Sequence, residues 1–400
     1  MIPVKEALEI ILSESQNFGE ETVPFMDSLG RVLKEEIVAD REFPPFNRVC
    51  MDGIAISKNA FERGKRNFLI EAVQAAGSPQ LRLQNSENCL EVMTGAVMPK
   101  NSDVVIPYEM LEILDGIASA VQVKEVKELQ NIHLQGKDRK LGEVLIKENA
   151  IITAAEIGVL ATVGKSFVKV AKQPKVMIIS TGDELVGVSE TPLQHQIRRS
   201  NVFSLVALLK ELNINAETAH LPDDKDSLKE NIASYLDRYD TLLFSGAVSK
   251  GKFDFIPEVL DELRVEKLFH KVKQRPGKPF WFGQRKNDRT TTVFAFPGNP
   301  VSTYVNCLKY FYPWYKKSIG VSFENEVAKL GADFSFKPSL TYFLQVKIEN
   351  KNGELIAIPE TGNGSGDLAN LVEADAFIEL PSDRVEFKKG ETFSIIKYRK

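Results

Sequence analysis

Cysteine is scarce in this chain of 400 residues: only Cys50, Cys89 and Cys307 occur, and no two form a C-x-x-C pair. An odd, scattered set excludes a disulfide framework, a zinc ribbon and a thioredoxin-like centre. It fits a reducing, cytoplasmic setting. Histidine is nearly as scarce, and His133, His195, His220 and His270 show no H-E-x-x-H spacing, so a zinc-hydrolase motif is missing. Long apolar runs are missing too: no stretch approaches the roughly 18 residues of a membrane span. Lys5, Glu6 and Glu9 interrupt the first apolar segment, which excludes a secretory signal. Nor is there an excess of positive charge. With 51 basic and 55 acidic residues the net charge is −4, the opposite of a general nucleic-acid binder's footprint.

What the chain does have is length enough for two to four domains and an ordinary 43% of hydrophobic residues. Val4, Ala7, Leu8, Ile11 and Leu12 recur at helical spacing, predicting an amphipathic first helix that ends near Gly19. Phe43-Pro44-Pro45-Phe46 reads as a stiff extended linker. From Gly53 to about Val126, short β-rich runs (Phe68–Ile70, Cys89–Val92, Val104–Ile106) separated by turn residues predict a small β domain. Thr153 to Glu156 reads as a capping box opening a helix that Gly164 closes. From Lys175 the pattern alternates. Val176–Ser180, Thr241–Phe244 and Thr292–Phe296 are apolar strands, and 201–212 and 227–239 are helices. Repeated βα units imply a parallel sheet covered on both faces. After Gly320 short strands return (Tyr342–Val346, Leu355–Ile358, Ala376–Leu380, Phe393–Ile396), predicting a β barrel or sandwich of about 80 residues.

Ligands of parallel α/β sheets bind beyond the C-terminal strand ends, and four loops lie there. They are Ser180-Thr181-Gly182-Asp183-Glu184, Leu221-Pro222-Asp223-Asp224, the segment from Ser245 and Gly246 through Ser249 to Asp254, and Pro297-Gly298-Asn299-Pro300. Gly246, Gly251 and Lys252 match the spacing of a phosphate loop, but Phe253 stands where a magnesium-holding Ser or Thr belongs. A Walker-type NTPase is therefore disfavoured. The glycines still admit a phosphate to the backbone amides, and a tight turn without ligand is the plainer alternative. Asp183, Glu184, Asp223 and Asp254 are the carboxylate candidates beside that loop. Acids next to a phosphate site suit an intervening Mg2+, which takes one or two carboxylates plus phosphate oxygens, although Asp223 could instead cap the following helix. On a regular strand Lys271, Lys273 and Arg275 would share one face and, with Lys278 after the Pro276-Gly277 bend, could meet phosphate or an oxyanion. A solvated edge is the commoner meaning of such a run.

The ordered set Met51-Asp52-Gly53, Met93-Thr94-Gly95-Ala96, Ser180-Thr181-Gly182-Asp183-Glu184, Ser245-Gly246-Ala247-Val248-Ser249, Arg275-Pro276-Gly277-Lys278-Pro279, Pro297-Gly298-Asn299-Pro300 and Gly364-Ser365-Gly366 resembles the molybdopterin molybdenumtransferase (MoeA) family, also represented by the C-terminal domain of gephyrin. The resemblance spans nearly the whole chain. It implies a multidomain α/β plus β fold: a central three-layer, MogA-like α/β domain with a parallel-rich sheet (173–319), a small β domain (47–130), a C-terminal β barrel (320–400) and a helical linker domain (1–46 with 131–172), in an elongated, L-shaped subunit that forms a homodimer. It further implies insertion of molybdate into adenylated molybdopterin with release of AMP, assisted by Mg2+, and other molybdenum cofactor biosynthesis proteins as partners. Glu184, Asp223, Asp254, Lys271 and Arg275 would line the site, with Glu184 and Asp254 on the metal. Thr181, Gly182, Ser245, Gly246, Ser249, Lys278, Pro297, Asn299 and Pro300 would contact the ligand, and Asp52 and Thr94 would reach the cleft from the partner chain. Ala247 departs from a usual glycine and Arg275 from a frequent lysine. Molybdopterin adenylylation and a gephyrin-like peptide scaffold are the alternative activities. Retention of the site acids speaks against the scaffold, and the domains beyond 175–319 speak against the adenylylating step.

Overall fold

The computed structural model describes residues 1–246 and 255–399. They form two compact units. One contains Met1–Lys34, Asn149–Thr153 and Val168–Lys400, and the other contains Glu35–Glu148 and Ala154–Phe167. The chain opens with α1 (Val4–Ser13), whose Val4, Ala7 and Ile11 are buried in the first unit's core, as their spacing predicts.

The second unit is built on a six-stranded sheet of β1 (Gly53–Ile56), β2 (Asn67–Gln74), β3 (Cys89–Val92), β4 (Val104–Pro107), β5 (Glu112–Leu114) and β6 (Ile117–Ser119), in the order β4-β1-β3-β2-β6-β5. β1 and β4 are buried along their whole length because both faces are covered. The helix predicted after Thr153 runs Ala154–Thr162.

In the first unit, β7 (Val176–Thr181), α2 (Asn201–Glu211), β8 (Glu217–Leu221), α3 (Lys225–Arg238), β9 (Thr241–Ser245), α4 (Ile256–Glu262), β10 (Glu266–His270), β11 (Trp281–Lys286), β12 (Thr290–Phe296), α5 (Pro300–Asn306) and α6 (Tyr312–Ser318) form an α/β layer. A single π turn, Cys307–Phe311, joins α5 to α6. The sheet order is β8-β7-β9-β12-β11-β10. The first four strands are mutually parallel, so their C-terminal ends share one edge. β11 and β10 run antiparallel, and this edge hairpin is absent from the strand–helix alternation. One sheet face packs on α2, α5 and the aromatic group Phe280, Phe282, Phe294, Phe296, Phe311 and Trp314. The other packs on α3 and α4 through Leu228, Ile232, Leu236, Val259 and Leu260. Two buried faces explain the unbroken apolar strands.

β13 (Glu326–Leu330), β14 (Thr341–Lys351), β15 (Glu354–Pro359), β16 (Ala376–Leu380) and β17 (Thr392–Lys397) follow, in the order β14-β15-β13-β17-β16, and β16 returns to β14. This closes the predicted barrel, and closure removes free strand edges. The two-residue strand Gln274–Arg275 pairs with β14 (Gln274 opposite Thr341, Arg275 opposite Tyr342), fastening a loop of the α/β layer to the barrel. Among the described residues no helix is long and apolar enough to cross a membrane.

Candidate functional site

Two neighbouring cavities lie in the first unit. The larger, about 640 Å³, sits over the parallel strand ends and is lined by Ser180, Thr181, Gly182, Glu184, Asp223, Ser245, Gly246, Pro297, Asn299 and Pro300, among others. The second, about 460 Å³, is lined by the Gln274–Pro279 bend, Tyr342 and Gln345 of β14, and Ser365, and shares Pro279, Pro297 and Asn299 with the first. The Asn299 amide donates to Ser365 Oγ at 2.8 Å, so one side chain spans the partition.

At the strand-end cavity, β7 runs straight into a turn closed by Leu185 N–H donating to Gly182 O at 3.1 Å. Gly182 has φ +127°, and a Cβ there would stand 2.3 Å from Glu184 Oε2. Only glycine lets that carboxylate fold back over the turn. Asp224, not Asp223, caps α3, its Oδ1 accepting from Ser227 N–H at 2.8 Å. Asp223 lines the cavity, and its amide donates to Asp183 Oδ1 at 3.3 Å. Among the described residues, Glu184 and Asp223 are therefore the two acids that line this cavity. The side chain of Asn201, at the start of α2, donates to Gly298 O at 2.7 Å and Ser245 Oγ at 3.0 Å. A carbonyl only accepts, so the amide orientation is fixed. Among the described residues, Asn201 Oδ1, Thr181 Oγ1 and Arg199 Nε are buried without a hydrogen-bond partner.

The second cavity has a cationic rim. Among the described residues neither Arg275 nor Lys278 has a carboxylate partner; Glu360 is the acid on the cavity wall. Arg275 lies 5.9 Å from the Phe336 ring, which stacks on Tyr342. Burial pushes the Tyr342 hydroxyl up in pKa, against the pull of Arg275. Among the described residues Gln345 Nε2 is buried without a hydrogen-bond partner, while its Oε1 accepts from Asn370 at 3.0 Å.

Of the residues singled out from sequence, Thr181, Gly182, Glu184, Asp223, Ser245, Gly246, Pro297, Asn299 and Pro300 share the first cavity, and Arg275 and Lys278 join Pro297 and Asn299 in the second. Lys271 lines neither. The regular strand assumed for Lys271, Lys273 and Arg275 is corrected here. Lys271 has φ +76°, its amide donates to Phe280 O and its carbonyl accepts from Ile2 N–H, so the alternation of faces is broken at that residue. Ser249 and Asp254 lie outside the described residues. Asp52 and Thr94 belong to the second unit, where the Thr94 amide donates to Asp52 Oδ1 at 2.6 Å. Asn201, Arg199, Gln274 and Gln345 were missed. Asn201 begins the helix expected over 201–212, which gives its side chain no site signal, and residues inside barrel strands carry no local signal.

The Thr94 amide, with its hydroxyl, holds the Asp52 carboxyl below its ordinary range. A depressed folded-state pKa contributes order above the unfolded value and loses it as pH falls through the folded one. Hydrogen-exchange protection of the Thr94 amide is thus expected to be flat at neutral pH and to decline below about pH 4. In Asp52→Asn that decline is absent. A decline that persists in the variant contradicts this assignment.

Fold and cleft together define a multidomain α/β plus β protein whose parallel strand ends hold a two-part polar cleft against a small barrel. Residues 2–164 match the family model for the MoeA N-terminal region (domain I and II), 177–317 the probable molybdopterin binding domain, and 327–398 the MoeA C-terminal region (domain IV). The molybdopterin molybdenumtransferase of Synechocystis sp. is 38% identical, covering 98% of this chain and 99% of that protein, and the Staphylococcus aureus (strain Mu50) enzyme is 31% identical, covering 99% and 95%. The chain belongs to the molybdopterin molybdenumtransferase (MoeA) family. A solved molybdopterin biosynthesis MoeA protein from Pyrococcus horikoshii superposes with a TM-score of 0.83 at 28% identity, over 100% of both chains.

Proposed function

We propose that the cleft takes adenylated molybdopterin in the strand-end cavity and molybdate in the adjoining cationic one, and that the enzyme, a transferase of molybdenum cofactor biosynthesis, joins the two with release of AMP. The observation that carries this reading is the shared wall of the cavities. Pro297 and Asn299 line both, so an oxyanion in one lies next to a nucleotide-linked ligand in the other. Proximity of this kind converts a bimolecular step into an intramolecular one. Arg275 and Lys278 hold the oxyanion by charge-assisted hydrogen bonds. The pterin's own sulfurs capture molybdenum, so no protein thiolate is required. Cys89 and Cys307 are buried, and burial pushes the Cys89 thiol up to about 12.

Glu184 and Asp223 suit Mg2+. No group of three or more acidic, His or Cys side chains converges among the described residues, but Mg2+ asks for only one or two carboxylates and completes its shell with water and phosphate oxygens. When bound, the ion supplies Lewis-acid polarisation of the pyrophosphate. Glu184 and Asp254 are proposed as its principal ligands. Lys271 is proposed to act at the edge of the site, and Ser249 on the phosphate. A cytoplasmic homodimer with Asp52 and Thr94 supplied by the partner subunit, and the division 1–46 with 131–172, 47–130, 173–319 and 320–400, complete the proposal. Adenylylation and scaffolding are not favoured, because the relatives matched along the whole chain carry the molybdenumtransferase name.

Purified protein given adenylated molybdopterin, Mg2+ and molybdate is expected to release AMP in a molybdate-dependent manner, with strong loss in Asp254→Asn. Consumption of ATP with free molybdopterin, or peptide binding without turnover, would overturn the proposal.

A further inference from the structure

The bend that carries Arg275 and Lys278 rests on a fully buried chain of polar side chains. Gln274, Asn306 and Tyr310 are each 0% exposed. Tyr310 Oη donates to Gln274 Oε1. Gln274 Nε2 donates to Pro276 O at 2.9 Å and to Asn306 Oδ1 at 2.7 Å, and Asn306 Nδ2 donates to Gly277 O at 3.3 Å. Because Pro276 O can only accept, the Gln274 amide has one possible orientation, and Tyr310 must be the donor to it. The two backbone carbonyls between Arg275 and Lys278 are therefore both anchored to the same network. Gly277 has φ +88° and presses on it; a Cβ there would stand 2.7 Å from Asn306 Oδ1. Tyr310 itself lies in the π turn and its ring packs 4.9 Å from Phe280. Burial holds its hydroxyl pKa well above the ordinary value, so it stays a donor.

We infer that Gln274, Asn306 and Tyr310 are positioning residues for oxyanion binding: they fix the bend so that Arg275 and Lys278 converge on one cavity. The inference rests on the reading of that cavity as the molybdate subsite. A network of this kind is rigid only when every member is satisfied, so losing the Tyr310 hydroxyl leaves a buried acceptor and loosens the bend. The strand-end cavity has none of the three residues in its wall and is expected to be insensitive.

The test measures molybdate affinity by titration calorimetry, KM for molybdate and for adenylated molybdopterin, and Tm. In Tyr310→Phe, molybdate affinity is expected to fall about tenfold while KM for adenylated molybdopterin stays within twofold. Gln274→Met also removes the donor to Pro276 O and Asn306 Oδ1, so it is expected to lower molybdate affinity at least as far, again with KM for adenylated molybdopterin within twofold. Equal loss for both substrates, or unchanged molybdate affinity in folded Tyr310→Phe, would each overturn the inference. Wild-type protein that neither binds molybdate nor releases AMP overturns the functional reading and this inference with it. Wild-type binding that Tyr310→Phe leaves intact overturns only the inference.

Discussion

Glu184→Gln is expected to lower molybdate-dependent AMP release by about two to three orders of magnitude, the range seen when one preorganised electrostatic group is removed from a site. The substitution keeps shape and hydrogen-bonding capacity but removes the charge. Glu184 is exposed at the cavity mouth, so no buried partner is abandoned and the thermal midpoint is expected to stay within about 1–2 °C, as for surface changes of small stability effect. The kinetic pattern identifies the role. If Glu184 holds a cation at the phosphates, raising the Mg2+ concentration restores part of the rate. If it acts on the turn alone, Mg2+ changes nothing. Gly182→Ala probes the same geometry from the backbone side, since its Cβ would occupy the place of the Glu184 carboxylate. Wild-type turnover in Glu184→Gln would remove this residue from the mechanism.

The second large effect concerns stability. Gly53→Ala would place a Cβ 2.0 Å from Ile106 O and 2.8 Å from Pro107 Cα. Both are backbone atoms of β4, directly paired with β1 (Gly53 opposite Pro107), so no side chain can swing aside and the strands must separate. Overpacking a dense core costs about 1–3 kcal/mol and occasionally more, and a backbone clash within a sheet belongs at or above the top of that range. Scanning calorimetry or pulse proteolysis reads the loss directly. Gly158→Ala is the matched control. Gly158 lies in the helix Ala154–Thr162 of the same unit, with nothing within 4 Å of its Cβ position, and alanine there is expected to stabilise by about 0.5–1 kcal/mol. Equal effects at the two positions would refute the steric account. Gly53 follows Asp52, whose carbonyl accepts from Tyr108 N–H, so the same strand separation also displaces the Asp52–Thr94 pair.

Much of the strand-end cavity was legible beforehand because periodicity locates strands, and parallel strands place their following loops on one edge. Thr181, Gly182, Ser245, Gly246 and Pro297 needed no more than that. Asp223 was ambiguous between cap and ligand. Local sequence cannot decide which of two adjacent aspartates turns towards the helix, and the bond from Ser227 N–H to Asp224 does. The shared strand face of Lys271, Lys273 and Arg275 was not legible as broken, because a single residue with φ +76° interrupts the alternation without any compositional mark. Gln345 and Gln274 were invisible for another reason. A polar residue inside a strand reads as a solvent-facing position, whereas Gln274 is 0% and Gln345 8% exposed, held inside by hydrogen bonds to distant residues.

By itself, the sequence determined the apolar strands and the helices of the βα units and their order, a barrel or sandwich of short strands after them, and the family through the spacing of its loops. These depend on interactions between near neighbours along the chain, which composition and periodicity encode. Only the tertiary structure decided that two cavities share Pro297 and Asn299, that Asn201 closes the wall between α2 and β9, and that Asn306 and Tyr310 hold a bend about 30 residues away in sequence. Those are contacts between remote segments, set by how buried faces pack and how buried polar groups find partners, and no local pattern records them.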